Sequence, residues 1–147
     1  MSKLNQSKIM EGGCLCGAIR YQVNEKPRHT TNCHCLHCRR SSGAPFITWM
    51  EFHPSKFKFV SGVPSQYESR SKVTRQFCGL CGSQLTYQHA DEPGEIHVTA
   101  CSLDNVEVIK PEDHIWCVRM VPWLKINDGL RQYKYTYSDF KNPHKRR

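Results

Sequence analysis

Apolar and polar positions alternate along most of this chain instead of recurring every three or four residues. Ile19, Tyr21 and Val23 interleave with Arg20 and Gln22, the period-two pattern of a strand with one buried face. The spacing predicts a strand over 18–23, closed by Pro27, and a second over 28–32 that leads into a cysteine cluster. Further strands are predicted over 46–52 and 57–60, a polar hairpin from 66–70 and 72–77, and strands over 83–88, 95–101 and 114–118. Turn residues at Gly62-Val63-Pro64 and Asp91-Glu92-Pro93-Gly94 separate them. A single helical turn is expected over 122–126, and no stretch carries a long 3.6-residue period. No repeat or linker divides the 147 residues, so the expectation is one mainly β domain over 11–137, with a flexible lead-in over 1–10 and a basic tail over 138–147.

Cysteine changes this picture most. Seven of the nine cysteines fall into three motifs: Cys14-Leu15-Cys16, then Cys33-His34-Cys35-Leu36-His37-Cys38, then Cys78-Gly79-Leu80-Cys81. Residues 1–10 hold Lys3 and Lys8 and no apolar core, so no export signal is expected and the compartment is read as reducing, the cytoplasm. There, clustered cysteines point to metal ligation or catalysis more than to disulfides. A redox reading of Cys78 and Cys81 would want a βαβ setting, whereas a strand follows them here. Cys101 and Cys117 read as small buried hydrophobes on strands.

Seven is four plus three. A closed structural zinc takes four protein ligands and a catalytic zinc about three. The simplest partition therefore joins Cys14, Cys16, Cys78 and Cys81 in one site and leaves Cys33, Cys35 and Cys38, swung together by a turn at Leu36-His37, in another. Spacing does not force this result. The triplet could be completed by His37, His34, Cys101 or Cys117, which would make both sites structural. If it stays open, three thiolates offset the ion's charge, so it is a poor activator of water and suited to holding a fourth sulfur, that of a substrate thiol. Arg39 and Arg40 follow Cys38 directly, and their guanidinium forks suit the carboxylates of a small thiol such as glutathione.

The formal charge of +8 raises nucleic acid as a partner. About half of it comes from Lys141, Lys145, Arg146 and Arg147, which read as a solvated tail. No run approaches the length of a membrane span.

Taken together, Gly13-Cys14-x-Cys16-Gly17-x-x-x-Tyr21, Cys33-His34-Cys35-x-x-Cys38-Arg39-Arg40-x-x-Gly43-Ala44, Phe77-Cys78-Gly79-x-Cys81-Gly82, Ser102-Leu103-Asp104, His114-Ile115-Trp116 and Pro122-Trp123 resemble the glutathione-dependent formaldehyde-activating enzyme family, also called the centromere protein V family, over about residues 11–135. The resemblance implies a β-tent fold of short antiparallel sheets stapled by zinc and shared with methionine sulfoxide reductase B. It implies two zinc ions, partitioned as above: Cys14, Cys16, Cys78 and Cys81 structural, Cys33, Cys35 and Cys38 catalytic. The activity it implies is a carbon-sulfur lyase run in reverse, joining glutathione to formaldehyde as S-(hydroxymethyl)glutathione or acting on a related small-thiol adduct. The competing expectation is a non-catalytic zinc module that binds nucleic acid or protein through its basic surface.

Overall fold

The computed structural model describes residues 8–136; the expected lead-in up to residue 7 and the basic tail at 138–147 lie outside them. In chain order the strands are β1 (Met10–Gly13), β2 (Arg20–Val23), β3 (His29–Cys33), β4 (Ile47–Phe52), β5 (Phe57–Ser61), β6 (Ser65–Arg70), β7 (Val73–Phe77), β8 (Gln84–His89), β9 (Ile96–Thr99), β10 (Asp113–Ile115) and β11 (Arg131–Gln132), with one α-helix, α1 (Leu36–Ser42), between β3 and β4. The fold is mainly β, built of small and mostly antiparallel sheets. It divides into two compact units, residues 8–28 with 50–109 and residues 29–49 with 110–136.

The first unit holds the three-stranded antiparallel sheet β1-β2-β5 and the antiparallel run β9-β8-β7-β6. The predicted alternation holds in β2, where Tyr21 and Val23 are buried and Arg20 and Gln22 are less so. Tyr21 and Val23 join Ile19, Met50, Phe52, Leu85, Ile96, Val98, Ala100 and Leu103 in one apolar cluster that also takes in Cys14 and Cys78. Apolar burial and cysteine placement are therefore coupled, since the two sulfur-bearing turns are rooted in the core. The Ser102-Leu103-Asp104 motif braces this region. Leu103 packs in the cluster, Ser102 Oγ lies 2.7 Å from Tyr21 Oη, and Asp104 accepts from both Nη atoms of Arg20.

In the second unit β10 pairs parallel with β3, setting Asn32 against His114 and Cys33 against Ile115, and parallel with β11. Polar β3 is buried at four of its five positions. Its side chains are satisfied in place: Thr48 Oγ1 donates to Asn32 Oδ1 at 2.6 Å, and Thr31 Oγ1 to Asp113 Oδ1 at 2.5 Å, as buried polar groups require.

Three local expectations are corrected. The turn expected at Leu36-His37 is the first turn of α1, which runs to Ser42 and stops at Gly43 in the left-handed region (φ 64°), whose N–H returns to the Arg39 carbonyl. The strand expected over 114–118 ends at Ile115. Trp116 turns left-handed (φ 56°), Cys117–Arg119 forms a 3-10 turn, and the N–H groups of Trp116, Cys117 and Val118 donate to the carbonyls of Tyr135, Tyr133 and Lys134. Over 122–126 there is no helix, only a turn closed by Leu124 N–H on the Val121 carbonyl. Pro122 has no N–H to give.

Candidate metal centres and their surroundings

In the first unit, Cys14, Cys16, Cys78 and Cys81 place their sulfurs within 4.8 Å of one another. Both turns reverse through a glycine. Gly17 (φ 80°) donates its N–H to the Cys14 carbonyl and Gly82 (φ 77°) to the Cys78 carbonyl, and a Cβ at either would meet open space. Glycine is thus required at both positions for its backbone conformation, not for lack of space. Backbone and hydroxyl groups point at the sulfurs. Ile19 N–H donates to Cys14 Sγ at 3.2 Å, and Ser83 Oγ lies 3.2 Å from Cys81 Sγ while accepting Leu15 N–H at 3.0 Å. The Ser83 hydroxyl and N–H hold the Cys81 thiol down to about 5. Leu15 and Leu80 point outward, 89% and 84% exposed, while Cys14 and Cys78 sit in the core and Cys81 packs against it.

In the second unit, Cys33, Cys35 and Cys38 likewise bring three sulfurs within 4.8 Å. Cys33 closes β3 and is buried, Cys35 is the N-cap of α1, and Cys38 is the buried residue of the helix. Cys35 Sγ accepts Cys38 N–H at 3.3 Å, doing for the helix what a serine or aspartate oxygen usually does. Trp49 Nε1–H donates to Cys38 Sγ at 3.3 Å. The thiols of Cys33 and then Cys38 donate to Cys35 and hold it well below the usual thiol range, while those contacts push Cys33 up. These contacts favour the thiolate at Cys35, the form in which cysteine binds a metal.

Among the described residues no fourth His, Cys, Asp or Glu joins the triplet. His37 is exposed on α1. His34 is fully buried, with Nε2 2.9 Å from His114 Nδ1, and its pKa is lowered to about 4, chiefly by burial. Cys101 and Cys117 depart from the expectation of buried strand residues: both sit in 3-10 turns, Cys101 exposed and Cys117 half-buried. Burial, and Asp113 after it, pushes the Cys117 thiol up to about 11. Arg39 Nη1 donates to the Arg119 carbonyl at 2.8 Å, and Arg40 is exposed.

The sequence reading did not find a third cluster, Glu51, Glu95 and His97 in the first unit. His97 Nε2 lies 3.2 Å from Glu95 Oε2 and lowers its pKa, and Arg28 Nε stands 3.8 Å from Glu51 Oε2. The Glu-x-His spacing on one strand face was a visible signal; that Glu51 would come beside it was not. With a guanidinium already present, the group is a charge network. No helix among the described residues is long and apolar enough to cross a membrane.

Both cysteine groups suit metal ions by their chemistry, sulfur donors with N–H groups directed at them. Comparison with known proteins addresses the family and the fold. The model of the glutathione-dependent formaldehyde-activating enzyme family matches residues 9–119. A Halomonas elongata protein that carries this enzyme name provisionally is 27% identical over 127 residues, 80% of this chain and 81% of its own. An uncharacterized lyase of Schizosaccharomyces pombe is 31% identical over 100 residues, 67% of this chain and 72% of its own. Among solved structures, the crystal structure of a Rhodobacter sphaeroides protein has the same fold, with a TM-score of 0.56 at 21% identity over 84% of this chain and 99% of that one.

Proposed function

Because this chain belongs to the glutathione-dependent formaldehyde-activating enzyme family, we propose that it is a zinc-dependent carbon-sulfur lyase joining a small thiol, glutathione, to formaldehyde as S-(hydroxymethyl)glutathione. The observation that supports this reading is the triplet: three sulfurs within 4.8 Å and no fourth described ligand, the donor number of a zinc with an open position. Cys33, Cys35 and Cys38 would hold the catalytic zinc, and Cys14, Cys16, Cys78 and Cys81 a structural one. Bound at the triplet, zinc would supply positive charge that keeps a substrate thiol ionised at neutral pH.

The chemistry balances without an oxidant or reductant. The thiol sulfur bonds to the formaldehyde carbon, the carbonyl π pair moves to oxygen, and the proton lost from sulfur ends on that oxygen. Trp49 fixes Cys38 by its indole N–H, and exposed Arg40 offers a fork to a carboxylate of the thiol beside Arg39, which is anchored on the Arg119 carbonyl. A reducing compartment such as the cytoplasm keeps such thiols available.

Exchange NMR on glutathione with formaldehyde tests the activity. Wild type should accelerate exchange and Cys35→Ser should return it to the uncatalysed rate. Equal rates in both proteins would remove the proposal.

A further inference from the structure

The second unit contains a line of three polar residues that this chemistry does not use. His34 sits between Cys33 and Cys35, fully buried, with Nε2 2.9 Å from His114 Nδ1. His114 is 1% exposed, and its Nε2 lies 2.7 Å from Asp128 Oδ2. The Asp128 side chain is 41% exposed, and its Oδ1 accepts Leu130 N–H at 3.0 Å. The Phe46 ring packs on both imidazoles, at centroid distances of 4.8 and 6.1 Å. Asp128 lies beyond residue 119, where the family match ends.

The line has a direction. An ionised carboxylate only accepts, so in neutral His114 the hydrogen is on Nε2 and Nδ1 is the bare acceptor. That nitrogen must be met by a donor, which puts the hydrogen of His34 on Nε2 and leaves its Nδ1 bare. Nδ1 of His34 is buried and has no hydrogen-bond partner. An unpaired lone pair is tolerated in a protein interior better than an orphaned N–H. The blind end therefore agrees with the direction set at the carboxylate.

We infer that Asp128, His114 and His34 form a tautomer-fixing relay that positions the sulfurs of Cys33 and Cys35. The relay holds the His34 ring in one orientation, and the backbone on either side of that ring carries two of the three sulfurs. β3 and β10 are in register at Cys33 and Ile115, so the ring pair also fixes where β3 ends and Cys35 begins. These are positioning residues, since they act through the cysteines. The inference rests on the reading of the triplet as a metal site. Outer partners of this kind typically govern metal affinity by roughly 10- to 100-fold.

Asp128→Asn tests it in the full chain, since the side chain is half-exposed and the replacement is nearly the same size. Asn keeps an oxygen for Leu130 N–H and turns an amide donor toward His114, reversing the direction of the line. Ring ¹⁵N NMR should show hydrogen on Nε2 of His34 and His114 in wild type, on Nδ1 of both in Asp128→Asn, and a mixture in Asp128→Ala. With the four-sulfur site preloaded with zinc, cobalt affinity of the triplet, read from its thiolate absorption, should fall about tenfold or more in both variants. Wild-type tautomers persisting in both variants would overturn the relay, whatever the triplet binds. Changed tautomers with unchanged cobalt affinity would overturn its positioning role. A wild-type triplet that takes up no cobalt would overturn the proposed function, and the positioning role with it, while the ring tautomers would still report on the relay.

Discussion

The two cysteine groups solve the same problem by opposite means. The four-sulfur group joins turns 62 residues apart in sequence, on an apolar core, with its outer tips in solvent. The three-sulfur group comes from six consecutive residues at a strand-to-helix junction, bordered by a buried polar strand and two buried imidazoles. Sequence-distant ligands staple a fold, because binding fixes chain ends that would otherwise be far apart. Sequence-local ligands staple nothing, and the structure spends its polar groups on holding them in place. On the proposed function, this difference would give stability to the first group and chemistry to the second.

The strongest way to break that contrast is Cys78→Ser. Structural zinc binds small domains with about 10 kcal/mol or more of apparent free energy, comparable to the whole net stability of a domain, about 5–15 kcal/mol. The variant should lose its cooperative unfolding transition in calorimetry, and one that melts like wild type would end the structural assignment. Cys35→Ser should do the reverse, keeping a cooperative transition while losing catalysed exchange; a collapse of the fold would show that the triplet staples too. Trp49→Phe sharpens the triplet alone. Loss of a hydrogen bond to a charged group costs about 1.5–3 kcal/mol, so its cobalt affinity should drop about tenfold or more, with the four-sulfur site unaffected in the same titration.

Ser83→Ala probes the other side. Removing its contacts to Cys81 Sγ and Leu15 N–H should cost about 1 kcal/mol in urea unfolding, with no change in exchange activity. Asp104→Asn should have the smallest effect. Arg20 lowers the Asp104 pKa from 3.8, so the bridge's contribution is present above that value and is lost as pH falls through the depressed one. The stability gap between wild type and Asp104→Asn should therefore close below about pH 4 in acid titrations, and a gap that widened would contradict the sign.

Most strands were legible because one face meets a core. Tyr21 and Val23 against Arg20 and Gln22 are the plain case, and the polar hairpin expected from 66–70 and 72–77 is β6 and β7, with Lys72 in the turn between them at φ 69°. The cysteine groups were legible because their members stand in three short motifs, and the structure brings the sulfurs together as that spacing predicts. What escaped has a common cause, dependence on distant backbone. Helix α1 buries only Cys38, so no apolar period announces it. β10 stops at Ile115 because the N–H groups after it are taken by residues 133–135. The His34-His114-Asp128 line unites positions with no local pattern, though His34 and His114 each lie in a motif that was noticed.

The parallel pairing of β3 with β10 also has a meaning in time. Cys33 leaves the ribosome about 80 residues before its register partner Ile115, a delay of roughly 4–16 s at ordinary synthesis rates. For that interval three neighbouring thiols stand without the strand that later pairs beside Cys33. Whatever loads or reduces them during translation meets the nascent chain, not the finished protein.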